Sequence, residues 1–178
     1  MRYLIYIAVI VSLFGLNLGI FHNLQINNQI PNLLFLLSIC FTLDNEGFDF
    51  FFIAFTSGII LDFYSTGFFG GYTLGLLIIS VLMYLFINNI LVIEVKFRSL
   101  AVSLLLALIL LNVIVWLYGF TAYKLNITPS FISFKTYIDS FPINFFYNLF
   151  FIYPVYLFSS NLRLFVEKLN MRSKGVVR

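Results

Sequence analysis

Residues 57–75 read SGIILDFYSTGFFGGYTLG. A carboxylate, Asp62, closes one apolar run, and Gly58, Gly67, Gly70 and Gly71 stand close around it. A buried acid is costly unless it is paired or hydrogen-bonded, and glycine adds backbone entropy that folding must overcome. The pattern reads as a tight reversal between two apolar helices. Asp62 falls at the C-terminal end of the first, where the helix dipole disfavours an anion. The second begins near Gly70, and its free N–H groups favour one. The expectation is that Asp62 accepts hydrogen bonds from the turn or from that N-terminus, with Ser65 or Thr66 as further donors. Gly67 would supply a positive φ, while Gly70 and Gly71 would allow close backbone approach. In the competing reading, Asp62 meets a cation of a partner protein.

The chain around this stretch is apolar throughout. Of its 178 residues, 62% are hydrophobic and 10% charged, and the mean hydropathy is +1.04. Soluble domains carry about 25% charged residues, so most of this surface must face lipid rather than water. The length suits one domain. Cys40 is the sole cysteine, which excludes an intramolecular disulfide and a cysteine metal cluster. The N-terminal run after Arg2 is too long for a secretory signal and has no small-residue cleavage pattern, so it reads as a retained first span.

A helix needs about 20 apolar residues to cross the hydrocarbon core. Six spans emerge, at about 3–21, 30–43, 47–64, 70–88, 98–120 and 141–162, which makes the fold class all-α. The second and third are short, and a re-entrant pair there is the alternative. The sixth contains Pro154. Pro31 suits the first turn of the second helix. Asp44, Glu46 and Asp49 suit the N-terminus of the third.

Lys and Arg placement sets orientation. With both termini in the cytoplasm, Arg2, Lys96, Arg98, Arg163, Lys168, Arg172, Lys174 and Arg178 lie inside, and Lys124 and Lys135 outside. Residues 163–178 form a basic cytoplasmic tail, read as a topology anchor, with docking of a cytoplasmic partner as the alternative. In 121–140, Thr128 could cap a short interfacial helix with Pro129 in its first turn. An irregular loop is the other reading.

The sequence offers little for catalysis. His22 is the only histidine, and no HExxH, GxSxG or GxxxxGK motif occurs. Asp49 and Asp62 stand about 20 Å apart along one helix, too far to share a proton. The reading is a non-enzyme without metal, cofactor or nucleic-acid partner. Asn17, Ser57, Ser80, Ser103, Asn112, Asn144 and Asn148 are polar residues within the spans. Asn144 and Asn148, four apart on one helix face, read first as helix-to-helix hydrogen bonders and second as the lining of a small-molecule cavity. Gly15 and Gly19 form a GxxxG pair, and Gly67, Gly71 and Gly75 repeat the spacing, which permits close helix packing within the chain or in a dimer.

Two stretches carry a resemblance. Gly58-Ile59-Ile60-Leu61-Asp62, then Ser65-Thr66-Gly67, then Gly70-Gly71, resembles the signature of the bacterial rod shape-determining MreD family. Pro31-Asn32-Leu33-Leu34 resembles the start of that family's second span. The specific likeness covers roughly residues 30–88. The turn is one residue longer than the commonest form, and Asp44, Asn45 and Glu46 replace the basic residues often found in that loop. The resemblance implies a multi-pass inner-membrane scaffold of the cell-elongation machinery, acting in peptidoglycan synthesis. Its implied partner is the bitopic protein MreC, with MreB filaments and the glycosyltransferase and transpeptidase pair beyond it. It also implies a fold like the substrate-binding component of energy-coupling-factor vitamin transporters, and vitamin binding is therefore the rival function.

Overall fold

A computed structural model describes residues 2–25, 29–44, 48–65, 69–90, 97–128 and 133–173. These form six α-helices: α1 (Arg2–Gly19), α2 (Leu33–Leu43), α3 (Asp49–Tyr64), α4 (Gly71–Ile90), α5 (Phe97–Lys124) and α6 (Phe134–Ser173). No strand occurs among the described residues. Three helices are long and apolar enough to cross a membrane: α1, α5 and the Phe134–Asn170 portion of α6. Much of their apolar surface points outward, with Leu4, Val102, Phe146 and Phe150 all exposed. A monomer in water rarely shows so much contiguous apolar surface; a chain dissolved in lipid requires it.

Helix α2 is the opposite case. All ten residues from Leu33 to Thr42 are buried, and α2 touches each of the other five helices. Its 11 residues give a rod of about 16 Å, too short to bridge a hydrocarbon core of about 30 Å. Its two ends are partly buried and each is tied to α6, Asn32 N bonding Asn148 and Asp44 meeting Arg163; non-helical backbone at membrane depth is tolerated where it is packed against protein.

The neighbours pack around this hub in a defined register. Helices α3 and α4 run antiparallel, with Gly58 opposite Thr73 and Phe50 stacked on Tyr84 at 4.9 Å. Helices α4 and α5 also run antiparallel, with Gly75 against Leu111 and Gly71 against Tyr118. Helix α6 returns along α5, placing Phe134 against Trp116 and Tyr153 against Phe97. Helix α1 lies parallel to α3, with Tyr3 on Phe52 and Phe14 on Tyr64. It buries only Tyr6, Ile10 and Asn17.

Four local expectations change. Pro31 precedes the helix instead of opening it: Asn32 is the N-cap, its side chain accepting from Phe35 N at 3.0 Å, as asparagine favours. Asp44 ends α2 rather than opening α3, and Arg163 offsets its charge at 3.7 Å. Glu46 lies outside the described residues. Thr128 does not cap the next helix; Ser133 Oγ accepts from Lys135 N at 3.3 Å, and the helix begins at Phe134. That helix is no separate interfacial piece. It continues through Pro142 and Pro154 to Ser173, across the 162/163 boundary of the expected tail. No glycine interrupts residues 134–173, and apolar surroundings allow prolines within a membrane helix.

Candidate functional site

The described ends of α3 and α4 meet in a hydrogen-bonded junction. Asp62 is 3% exposed. Its Oδ1 accepts from Tyr72 N at 2.8 Å; its Oδ2 accepts from Thr73 N at 3.0 Å and from Thr73 Oγ1 at 2.5 Å. Tyr72 and Thr73 occupy the first turn of α4, whose N–H groups have no partner within their own helix. The carboxylate therefore does for α4 what an N-cap side chain does, but from ten and eleven residues upstream. The helix dipole adds a favourable term for the negative charge.

Three glycines make the junction sterically feasible. A Cβ on Gly58 would come within 2.5 Å of Thr73 Cα, a backbone collision. Gly58 is thus what lets α4 approach α3 closely enough for Asp62 to reach. Gly70 has φ +102°, a conformation natural to glycine. A Cβ on Gly71 would press on the Tyr118 ring at 3.3 Å. The hydroxyl of that tyrosine donates to Phe69 O at 3.0 Å, so α5 closes the turn from outside. The expected positive φ at Gly67 falls outside the described residues, as does Thr66.

Ser65 does not act as expected. Its hydroxyl donates to Asp62 O at 3.2 Å, the backbone carbonyl rather than the carboxylate. At a helix C-terminus the nearest unsatisfied acceptors are the helix's own carbonyls. Among the described residues, the hydroxyl donor to the carboxylate is Thr73, where the sequence suggests Ser65 or Thr66.

A second junction ties α2 to α6. Asn32 N donates to Asn148 Oδ1 at 2.9 Å, and Asn148 Nδ2 donates to Asn144 O at 2.8 Å and to Asn144 Oδ1. Asn148 is fully buried, so the amide pair serves helix-to-helix bonding first. The opposite end of the bundle holds ions. Arg2 lies 2.9 Å from Asp49, which also accepts from Tyr6 Oη at 3.0 Å; Arg163 approaches Asp44 and, at 3.6 Å, Glu167.

The small-residue motifs divide. Gly75 is used inside the chain: a Cβ there would meet Leu111 Cδ1 at 2.9 Å. Gly15 and Gly19 are not, since nothing lies within 4 Å of a Cβ at either. The described side chains bring no nucleophile and base together at these junctions; their chemistry is hydrogen bonding and packing. Compared with protein-family models, curated proteins and solved structures, the chain finds no match in any of the three.

Proposed function

We propose that the chain is a non-enzymatic scaffold of the bacterial cell-elongation machinery, a six-span inner-membrane protein with both termini in the cytoplasm, acting with MreC. One observation carries the reading. The residues that resemble the MreD signature, Gly58, Asp62, Gly70 and Gly71, are the same residues that build the α3–α4 junction. A signature is held in a sequence by a physical demand, and here the demand is visible: each of the four has a steric or hydrogen-bonding task. Asn32, from the second resembling stretch, caps the hub helix and bonds Asn148.

The basic residues support the orientation, eight on the cytoplasmic side against Lys124 and Lys135 outside. The mechanism is helix packing against MreC's single transmembrane segment. Helix α1 supplies a surface for it, because the backbone is uncovered at Gly15 and Gly19 and small residues at this spacing permit close approach. The test is affinity purification from the native membrane in mild detergent. MreC at near-equal amount is the expected result, reduced by Gly15→Leu together with Gly19→Leu. Recovery of transporter components in place of MreC would overturn the proposal and favour the vitamin-binding alternative.

A further inference from the structure

The Asp62 end of the bundle borders a half-open cavity of about 540 Å³, lined by α1, α3, α4, α5 and α6 and by residues 29–32 ahead of α2. That volume lies within the range of small-molecule sites, roughly 300–1,000 Å³. Asn17 of α1 is on its wall. The side chain is 4% exposed, and its Oδ1 has no hydrogen-bond partner. Buried amide oxygens are almost always paired in folded proteins, and a lone one calls for an explanation. Three other amides of this region have found theirs: Asn32, Asn144 and Asn148 bond one another and the start of α2. Asn17 stands outside that network.

The wall selects a chemistry. Among the described residues that line it there is no Asp, Glu, Lys, Arg or His. A charged occupant would be stripped of water with no counter-charge to meet it. The polar side chains on the wall are the amides of Asn17, Gln29, Asn32 and Asn144 and the hydroxyls of Tyr64, Ser65, Tyr72 and Tyr137, which between them donate and accept. Phe14 and the three tyrosine rings add flat apolar faces. Donors and acceptors interleaved with ring faces suit a molecule with several hydroxyls on an apolar frame. The site also sits where α1 and α3 stop and α4 begins.

We infer that this cavity binds an uncharged, polyhydroxylated ring, either the headgroup of a neutral glycolipid or a free sugar-like molecule, and that the Asn17 carboxamide bonds one of its hydroxyls. The site is independent of the scaffold role proposed above and stands whether or not MreC is the partner.

The test uses the full chain in phosphatidylcholine nanodiscs, read by thermal unfolding and by native mass spectrometry. The probes are monoglucosyl diacylglycerol, free glucose and, as the charged comparator, phosphatidylglycerol. A one-to-one adduct with the glucolipid and a raised unfolding midpoint are expected, with no such effect of phosphatidylglycerol. If glucose alone also binds, the occupant is a free molecule; if only the glucolipid binds, it is a lipid headgroup. Asn17→Leu should unfold no earlier than the wild type in the absence of probe, because it removes an unpaired polar atom. It should also weaken probe binding at least tenfold. Tyr137→Phe should weaken binding several-fold and serves as the deciding variant if Asn17→Leu does not fold. Binding of neither glucoside, equal binding of phosphatidylglycerol, or unchanged affinity in the folded variant would overturn the inference.

Discussion

Asp49 and Asp62 stand thirteen residues apart at the two ends of α3, and their surroundings differ in kind. Asp49 has a side chain 20% exposed and meets a cation, Arg2, itself 38% exposed. Asp62 is 3% exposed and takes three hydrogen bonds from α4, two of them from backbone N–H groups. An ion pair near water gains little net energy, because solvent and salt compete for both charges. Hydrogen bonds to a buried carboxylate have no such competitor, and losing them strands donors that nothing else can satisfy. Position in the helix sharpens the difference. Asp49 is in the first turn of α3, where its own helix dipole favours it, and Asp62 is in the last, where only a neighbouring helix can. The acid in the less favourable place is the one held by the more specific structure.

This contrast can be broken at four points, in descending order of effect. Gly58→Leu drives a side chain into the Thr73 backbone and forces α3 and α4 apart, at a cost of about 3 kcal/mol or more; unfolding in detergent or the yield of folded protein measures it. Asp62→Ala leaves two N–H groups and a hydroxyl unpaired and should lower stability by about 2–4 kcal/mol. A variant of normal stability that loses its partner would instead favour the reading in which Asp62 contacts another protein. Thr73→Val keeps the shape and removes one donor to a charged acceptor, an expected loss of about 1.5–3 kcal/mol. Arg2→Gln should cost at most about 1 kcal/mol. Its effect should fade as salt rises from low to molar concentration, whereas that of Asp62→Ala should not move.

The Asp62 junction was legible because its two signals are local. An acid at the end of an apolar run needs a partner, and the glycines after it announce where the chain turns. Thr73 was not legible, since eleven residues separate it from Asp62 and a threonine inside an apolar run reads as helix interior. Its role depends on α4 starting at Gly71, which places Thr73 in the first turn. Ser65 misled for the converse reason: adjacency in sequence suggested a bond to the carboxylate, while helix geometry turned the hydroxyl to the Asp62 carbonyl. Hydropathy located all six helices, yet it could not tell the buried hub α2 from the exposed α1. Both are apolar, and only packing decides which face meets protein. The reach of α6 escaped because the polar stretch before Phe141 and the basic stretch from Arg163 read as the ends of a span, although one helix runs through both. Asn17 was visible as a polar residue within a span. That its oxygen stays unpaired follows from where the neighbouring helices come to rest, which no local pattern encodes.

The central claim is that the Asp62 carboxylate holds the first turn of α4, and a double-mutant cycle between Asp62→Ala and Thr73→Val measures it directly. The account predicts that the two losses are strongly non-additive, with a coupling of at least about 1 kcal/mol, as for residues in one hydrogen-bond network. Additivity to within about 0.3 kcal/mol, the behaviour of residues that do not touch, would contradict it.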